Sequence, residues 1–300
     1  MEIIRELKSI PHLSLALGFF DGLHLGHQEV IKCAVNFAKE NNTKSAVVTF
    51  SEHPRCYLNK NIPKYVLSKK DRYNIMEKLG VDYVIELDFP SVAHMTPEQY
   101  LKDVLVKYFS PMAISTGFNH HFGVNKEGDV KFLSDHQYVY NYIYFATLPE
   151  TLYGDPISST VIRGYISKGI MYMANDMLGR KFSVKGKVIE GQKIGRKIGF
   201  PTANIKYPAD IIEPAKGVYT VEVRLQNGEK LNAIANFGTK PTVSNEKEPI
   251  LEVHIPFFSQ DLYGQTLKVK FLKFIRPEIK FASLGDLKAQ IVLDLQELPD

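Results

Sequence analysis

Two histidines, His24 and His27, follow a glycine-rich turn and stand three residues apart. The turn, from Gly18 to Gly22, ends the apolar segment LSLALGFF, which predicts a buried strand. If a helix begins there, the histidines share one side of it, beside free N–H groups and a positive partial charge. Such imidazoles donate hydrogen bonds to a phosphate as negative charge builds up during a displacement. We therefore predict binding of a nucleoside triphosphate and transfer at its α-phosphate, by Gly18, Phe19, Asp21, Gly22, His24 and His27.

Two other interpretations of the histidine pair are open on these residues alone. Histidines at a helix start serve as capping groups without any ligand. They also bind metals, although this chain lacks the glutamate of an H-E-x-x-H motif and a third ligand nearby. The whole pattern, a strand, then G-x-F-D-G-x-H-x-G-H, then a helix, is much rarer than its parts. It resembles the nucleotidyltransferases that share an H-x-G-H signature with class I aminoacyl-tRNA synthetases.

A second phosphate-binding segment is predicted at SSTVIR. It puts Ser158, Ser159 and Thr160 at a helix start, with Arg163 one turn along, so that hydroxyls, N–H groups and a guanidinium converge. On its own, S-S-T before a helix is an ordinary N-cap. Together with the histidine segment it predicts a second phosphate clamp. On its own, the segment GFNHHFG after another predicted strand is only a loop, and Asn119 within it is a candidate for the nucleotide site.

The segment GQKIGRKIGFPTANI has three glycines at four-residue spacing, interleaved with basic residues. Flexible glycines and cations suit phosphate groups. The side-chain oxygens of Thr202 and Asn204 suit Mg²⁺ that is shared with ATP phosphates. A glycine-rich turn with a polar rim is the alternative for the glycines alone. The predicted nucleotide-binding residues of this segment are Gly191, Lys193, Gly195, Arg196, Gly199, Pro201, Thr202 and Asn204.

A carboxylate stands out in the alternating segment ILEVHIPF. Leu251, Val253 and Ile255 face one side of the predicted strand, and Glu252 and His254 face the other. The usual position of such a glutamate is a solvated strand face. The spacing alone therefore makes Glu252 a candidate for a functional carboxylate and does not decide between the two interpretations.

The elements that must position these residues fall into two sets. Up to about residue 180, strand-like and helix-like segments alternate, which predicts a mostly parallel sheet covered on both faces. From about Lys181, short segments with turn signals between them predict an antiparallel barrel or sandwich. One helix, SLGDLKAQIVLDLQEL, ends the chain. We expect two domains, residues 1–182 and 183–300.

The first set of motifs resembles the FMN adenylyltransferase module of the bacterial bifunctional riboflavin kinase/FAD synthetase family. The second set resembles the riboflavin kinase module of that family, in GQKIGRKIGFPTANI, KGVYTVEV, ANFGTKPTV, LEVHIPFFSQDLYGQ and FIRPEIKFASLGDLKAQI. The G-R-x-x-G-x-P-T-A-N run is the most specific part. The resemblance implies an α/β, Rossmann-like nucleotidyltransferase domain of the H-x-G-H type, followed by an all-β riboflavin kinase barrel with a C-terminal helix.

The resemblance also implies the chemistry. ATP phosphorylates riboflavin to FMN, and ATP then adenylylates FMN to FAD, releasing pyrophosphate, with Mg²⁺ as the metal. Glu252 takes the proton of the ribityl 5′-hydroxyl, and Thr202 and Asn204 hold metal and nucleotide. The implied catalytic residues are Glu252, His24, His27 and Arg163. The implied neighbours of the flavin ring are Arg276 and Phe281.

The composition of the chain limits the kinds of partner and the cell compartment that we expect for the protein. The chain has 300 residues, of which 44% are hydrophobic, and a net charge of +4 without a dense Lys/Arg block, so we expect no nucleic-acid partner. It shows no apolar run of membrane-spanning length and no signal-peptide pattern, so we expect no membrane partner. Its two cysteines, Cys33 and Cys56, suggest no disulfide framework. Free thiols of this kind are typical of a cytoplasmic protein.

The sequence leaves three alternatives to a bifunctional enzyme open. A family member in which one site works alone is the nearest, although both sets of motifs are intact. A flavin-sensing regulator would need a basic recognition helix, and the sequence suggests none. An aminoacyl-tRNA synthetase would need a K-M-S-K-S-like loop, which the segment LSKK matches only in part.

Overall fold

The computed structural model of the protein describes residues 1–58, 63–191, 194–241 and 247–299. The chain forms two compact units. The first contains Met1–Pro63 and Ser68–Ser158, and the second contains Lys64–Leu67 and Ser159–Asp300. The chain therefore passes from one unit to the other at three places rather than at one.

The first unit is built around a parallel sheet. Its strands are β1 (Glu2–Ile4), β2 (Leu13–Leu17), β3 (Lys44–Phe50), β4 (Tyr83–Leu87), β5 (Ala113–Gly117) and β6 (Ile143–Thr147). Within the described residues these six strands run in the order β1-β4-β3-β2-β5-β6, and every pair is parallel. All five residues of β2 are buried, as expected for a strand covered on both faces. The predicted parallel α/β architecture is confirmed, whereas β1 is too short to show a pattern in the sequence.

The first unit also contains the following helices and a hairpin. The helices are α1 (Leu25–Glu40), α2 (Pro54–Tyr57), α3 (Lys69–Lys78), α4 (Phe89–Val92), α5 (Pro97–Gln99), a π-helix (Tyr100–Val106), α6 (Lys107–Phe109), a 3₁₀ turn (Val124–Lys126) and α7 (Val130–His136). The hairpin pairs β7 (Thr151–Leu152) with β8 (Asp155–Pro156). Residues 97–109 form one continuous helix that is π-helical in its middle turns.

The position of β2 in the sheet explains where the first predicted site lies. The chain leaves β2 for β3 on one side and later returns to pair β5 on the other side. In open α/β sheets, ligands bind beyond the carboxyl ends of the strands where the strand order reverses in this way. The turn that starts at Gly18 follows β2, and the loop with Asn119 follows β5. The fold therefore brings two predicted nucleotide-binding segments to one edge of the sheet.

The second unit is a closed antiparallel barrel with helices around it. Its strands are β9 (Ser183–Ile189), β10 (Ala203–Lys206), β11 (Gly217–Arg224), β12 (Lys230–Pro241), β13 (Lys247–His254) and β14 (Thr266–Arg276). Its helices are α8 (Ser159–Ser167), α9 (Met171–Leu178), α10 (Ile194–Lys197) and α11 (Leu284–Leu295). The strands follow the order β10-β13-β12-β11-β14-β9, and β9 pairs with β10 to close the ring. The predicted barrel with its C-terminal helix is confirmed, and the sandwich alternative is wrong.

Closure of the barrel buries large side chains inside it. Tyr219, Phe237 and Phe271 are all fully buried, and the ring of Phe271 packs edge-on against that of Tyr219. In the described part of the chain, no helix is long and apolar enough to cross a membrane.

A short segment from the first half of the sequence completes the second unit. Tyr65 forms a parallel bridge with Ile211, in which the Tyr65 N–H donates to the Asp210 carbonyl at 2.7 Å. The Ile212 N–H donates to the Tyr65 carbonyl at 2.8 Å. Nothing in the sequence pattern predicts this insertion, because its partners are about 145 positions further along, a separation that local periodicity cannot sense.

Asn175 ties α9 to the barrel. Its side chain is 2% exposed, accepts a hydrogen bond from the Phe182 N–H at 2.7 Å and donates to the Phe271 carbonyl at 3.1 Å. Removing a buried amide that pairs with two backbone groups costs more stability than the two hydrogen bonds contribute, because both backbone groups are left unsatisfied.

We predict that Asn175→Leu lowers the free energy of unfolding of the second unit by about 2–4 kcal/mol, since two buried backbone groups lose their partners. Urea unfolding followed by far-UV circular dichroism measures it, as the chain has no Trp. The exposed Asn232→Leu is the control and should change stability by less than about 0.5 kcal/mol. Equal unfolding midpoints for the two variants would contradict this role of Asn175.

Candidate active sites

The turn after β2 has an unusual backbone. The Gly18 N–H donates to the Val48 carbonyl at 3.2 Å, which continues the pairing of β2 with β3. Phe20 and Leu23 then adopt left-handed φ angles of 56° and 42°. Left-handed backbone at bulky residues costs energy and is concentrated at ligand sites. Asp21, between them, is buried.

The turn delivers the two histidines as a stacked pair at the start of α1. His24 is the N-cap, and its Nδ1 accepts a hydrogen bond from the His27 N–H at 3.2 Å. The rings stack with centroids 3.6 Å apart and 22° between their planes. Because Nδ1 of His24 is an acceptor here, the neutral ring carries its proton on Nε2. The predicted pair is therefore brought together, and His24 caps α1 as the capping interpretation expects. The function of the two rings at a phosphate stays a prediction.

Arg72, on α3, also reaches this turn. Its Nη1 donates to the Phe19 carbonyl at 2.9 Å. In the sequence Arg72 resembles any basic residue of an amphipathic helix, so the contact could not be predicted from spacing.

The loop after β5 holds a histidine that stays neutral near pH 7. Burial, with a smaller effect of the neighbouring His121, lowers the pKa of His120 to about 4. The His120 N–H donates to the Gly117 carbonyl at 3.0 Å. His120 therefore adds no positive charge for a phosphate, while Asn119 beside it is exposed.

The SSTVIR segment lies where the chain changes units. Ser158 is the last residue of the first unit, and α8 begins at Ser159 in the second. Arg163 lies one turn along α8, and its Nε donates to the Lys64 carbonyl at 3.0 Å. The predicted helix start is therefore present. The function of Ser158, Ser159, Thr160 and Arg163 at a nucleotide stays a prediction.

In the second unit, Glu252 opens into a cavity of about 320 Å³. The register of β13 pairs Glu252 with Asn204 of β10 on one side and Asn236 of β12 on the other. The predicted alternation is present, since Leu251 and Val253 are buried and Glu252 and His254 line the cavity. The His254 Nδ1 is 2.8 Å from the Pro201 carbonyl, which fixes the segment before β10. Other cavity residues include Gly195, Thr202, Arg276, Glu278, Phe281 and Asp294.

Helix α11 forms one wall of this cavity, and a buried ion pair attaches it. Arg276 donates from Nε and Nη2 to the two carboxylate oxygens of Asp294, at 2.9 and 2.7 Å. Asp294 is 2% exposed and also accepts from Gln290 at 3.0 Å. The Phe281 ring centroid lies 5.8 Å from the Arg276 guanidinium. Arg276 and Phe281, the implied neighbours of the flavin ring, thus line this cavity. Asp294 carried no sequence signal beyond its place in an amphipathic helix.

A second cavity, of about 300 Å³, lies beside the first and shares Thr202 with it. Its lining includes Val188, Arg196, Pro201, Ala203, Asp261 and Tyr263. A side chain at position 191 would overlap the Asn204 amide, and one at position 195 would overlap the Phe200 carbonyl, so both positions require glycine. Gly199 has a φ of 88°. Lys193 lies outside the described residues.

The donors near Thr202 fit a hard cation. The hydroxyl of Thr202 lines both cavities, and Asn204, two residues along, offers an amide oxygen and pairs in register with Glu252. Mg²⁺ prefers such oxygen ligands and takes few of them from the protein when phosphates supply the others. The residues therefore fit the predicted metal.

Known families match both halves of the chain. The FAD synthetase family matches residues 7–161, and the riboflavin kinase family matches residues 178–299. These are the regions that contain the histidine turn and the barrel.

Relatives match over nearly the whole length. The bifunctional riboflavin kinase/FMN adenylyltransferase of Haemophilus influenzae is 37% identical, over 99% of this chain and 97% of its own. The enzyme of the same name from Escherichia coli K12 is 35% identical, over 98% and 96%. A crystal structure described as a macrolide-efflux protein from Streptococcus pneumoniae has 30% identity and a TM-score of 0.88, over 98% and 97% of the two chains. With two family matches and full-length relatives of one name, the chain belongs to the family of bifunctional riboflavin kinase/FMN adenylyltransferases.

Proposed function

We propose that the second unit transfers the γ-phosphate of ATP to riboflavin and that FMN is then adenylylated to FAD at the histidine turn. The observation that carries the proposal is the pair of adjoining cavities that share Thr202, one of them containing Glu252 and Arg276. The cavity that contains Glu252 suits a flavin, and the second cavity suits a nucleotide. The acceptor hydroxyl and the γ-phosphate would then meet near Thr202.

In the kinase step, Glu252 acts as the general base. The ribityl 5′-oxygen bonds to the γ-phosphorus, the bond to the β,γ-bridging oxygen breaks, and ADP leaves with the electron pair. The 5′-hydroxyl proton goes to the Glu252 carboxylate. Phosphoryl transfer depends mostly on positioning and charge stabilisation. The hydrogen bonds from Arg276 to Asp294 hold α11, which forms one wall of the flavin cavity. This fixed wall supports the positioning of the substrate.

Thr202 and Asn204 would hold Mg²⁺ together with the nucleotide, and the metal would neutralise charge on the phosphates. The glycines at 191 and 195 let the backbone approach closely there, and Arg196 adds positive charge from the same segment.

In the adenylyl step, an FMN phosphate oxygen bonds to the α-phosphorus of ATP, the α,β-bridging bond breaks, and pyrophosphate leaves. His24 and His27 donate hydrogen bonds to the oxygens on which charge increases. The α1 N-terminus adds its positive partial charge. Arg163 is assigned to the same charge stabilisation, and Asn119, Ser158, Ser159 and Thr160 to the nucleotide.

We expect Glu252→Gln to lower the rate of riboflavin phosphorylation by about 10²–10⁴-fold, because a neutral amide cannot take the proton. Adenylylation of supplied FMN should be unchanged. The two rates are measured separately by chromatography of the flavins. Glu248→Gln, on the same side of the same strand but exposed, is the control and should keep both rates. A Glu252→Gln variant with normal kinase activity would exclude Glu252 as the base.

His27→Ala should show the reverse pattern. FAD formation from FMN falls by about 10²–10³-fold, since a donor to the developing charge is lost, while FMN formation from riboflavin is kept. His94→Ala, an exposed histidine of the same unit, serves as control. Loss of both activities in folded protein would contradict separate sites.

Asp294→Ala tests the wall of the flavin cavity. Without the carboxylate, Arg276 and α11 lose their shared anchor, so KM for riboflavin should rise by about tenfold or more, equal to at least about 1.4 kcal/mol of binding. KM for FMN in adenylylation should stay constant. Glu297→Gln, which changes an exposed ion pair with Lys273, is the control. Unchanged riboflavin affinity in Asp294→Ala would show that α11 does not shape the cavity.

A further inference from the structure

Arg72 is a buried cation placed directly behind the histidine turn. It lies on α3 and is 4% exposed. Its Nη1 donates to the Phe19 carbonyl at 2.9 Å, and the Thr49 hydroxyl donates to the same oxygen at 3.3 Å. A single carbonyl of the turn is thus held by two side chains from two different elements, α3 and β3.

The guanidinium of Arg72 also packs against the side chain of Phe19. Its central carbon lies 4.4 Å from the centroid of the Phe19 ring and 5.5 Å from that of Tyr73. Arginine suits this arrangement better than lysine, because a planar group can stack on a ring while its edge donates hydrogen bonds. The backbone and the ring of Phe19 are therefore fixed by one residue.

Stability alone does not account for an arginine at this position. The Nε of Arg72 is buried and, within the described residues, has no hydrogen-bond partner. A buried donor without an acceptor is costly, and an apolar side chain of similar length would fill the space without that penalty. The benefit must come from what the guanidinium holds.

The orientation of the Phe19 carbonyl influences the position of His27 through Phe20. The peptide between Phe19 and Phe20 is oriented by the bonds to the Phe19 carbonyl, and Phe20 then has its left-handed φ of 56°. The Phe20 ring packs edge-on against His27 with centroids 5.3 Å apart. A rotation of the Phe19 peptide would therefore shift Phe20 and, with it, the ring of His27.

We propose that Arg72 is a positioning residue of the adenylyl-transfer step, which fixes the Phe19 carbonyl and thereby the turn that presents His24 and His27. The inference rests on the proposed function of this turn. Arg72 acts on catalysis through the backbone and touches no reacting atom. Thr49 is its partner on the same oxygen.

The test compares Arg72→Met, Arg72→Lys and Thr49→Val with Lys70→Met, an exposed control on the same helix. Arg72→Met should lower kcat for FAD formation by about 10–100-fold, the size of effect caused by a misplaced catalytic group. KM for ATP should change by less than about threefold, because no contact with the substrate is lost. Arg72→Lys should recover at least about a third of the lost rate, since its amine can still donate to the carbonyl. Riboflavin phosphorylation should be unchanged in all four variants.

Thr49→Val keeps the shape of the side chain and should lower kcat by about threefold or more. Because both residues hold one oxygen, the losses in the double variant of Arg72→Met and Thr49→Val should not multiply. A merely structural effect would lower the melting temperature and leave kcat per folded molecule unchanged. If Arg72→Met does not fold, as judged by circular dichroism, Arg72→Lys and Thr49→Val give the result alone.

The outcomes separate this inference from the proposed function. If the unaltered protein forms no FAD from FMN and ATP, the proposed function is wrong. If the unaltered protein is active and kcat is the same in all variants, or if KM for ATP rises while kcat does not change, Arg72 is not a positioning residue. Independent, multiplying losses would also overturn the shared action on the Phe19 carbonyl.

Discussion

The strand register around Glu252 is the constraint on which the second unit depends. In an antiparallel ladder, a slip of one residue turns every side chain to the opposite face. The barrel fixes the register of β13 on both of its sides, so Glu252 lies between Asn204 and Asn236 while Leu251 and Val253 are locked in the core. The carboxylate that we propose as the general base is thereby held by the same packing that stabilises the barrel.

The two units prepare for phosphate groups by different means. In the first, a helix start follows a strand at the reversal of strand order, and a buried arginine holds the backbone of the connecting turn. In the second, glycines bring a loop close to oxygen-bearing side chains on the barrel. Such different geometries fit two different reactions, attack at the α-phosphorus and attack at the γ-phosphorus, which place charge on different oxygens.

Sequence patterns predicted what local periodicity and motif spacing can encode. The buried run of β2, the helix start at His24 and the alternation around Glu252 are all of this kind. The insertion at Tyr65 and the contact of Arg72 with Phe19 were not predictable, because each joins positions far apart in the chain. The pairing of Arg276 with Asp294 was missed for a related reason: a carboxylate on an amphipathic helix looks solvated until the fold buries it.

A crystal structure of the protein with FMN, ADP and Mg²⁺ tests the proposed kinase site most directly. We expect the 5′ end of the ribityl chain to lie within hydrogen-bond distance of the Glu252 carboxylate, about 2.6–3.2 Å, with ADP in the neighbouring cavity and Thr202 between them. A flavin bound outside the cavity of Glu252, or a nucleotide whose phosphates point away from Thr202, would contradict it.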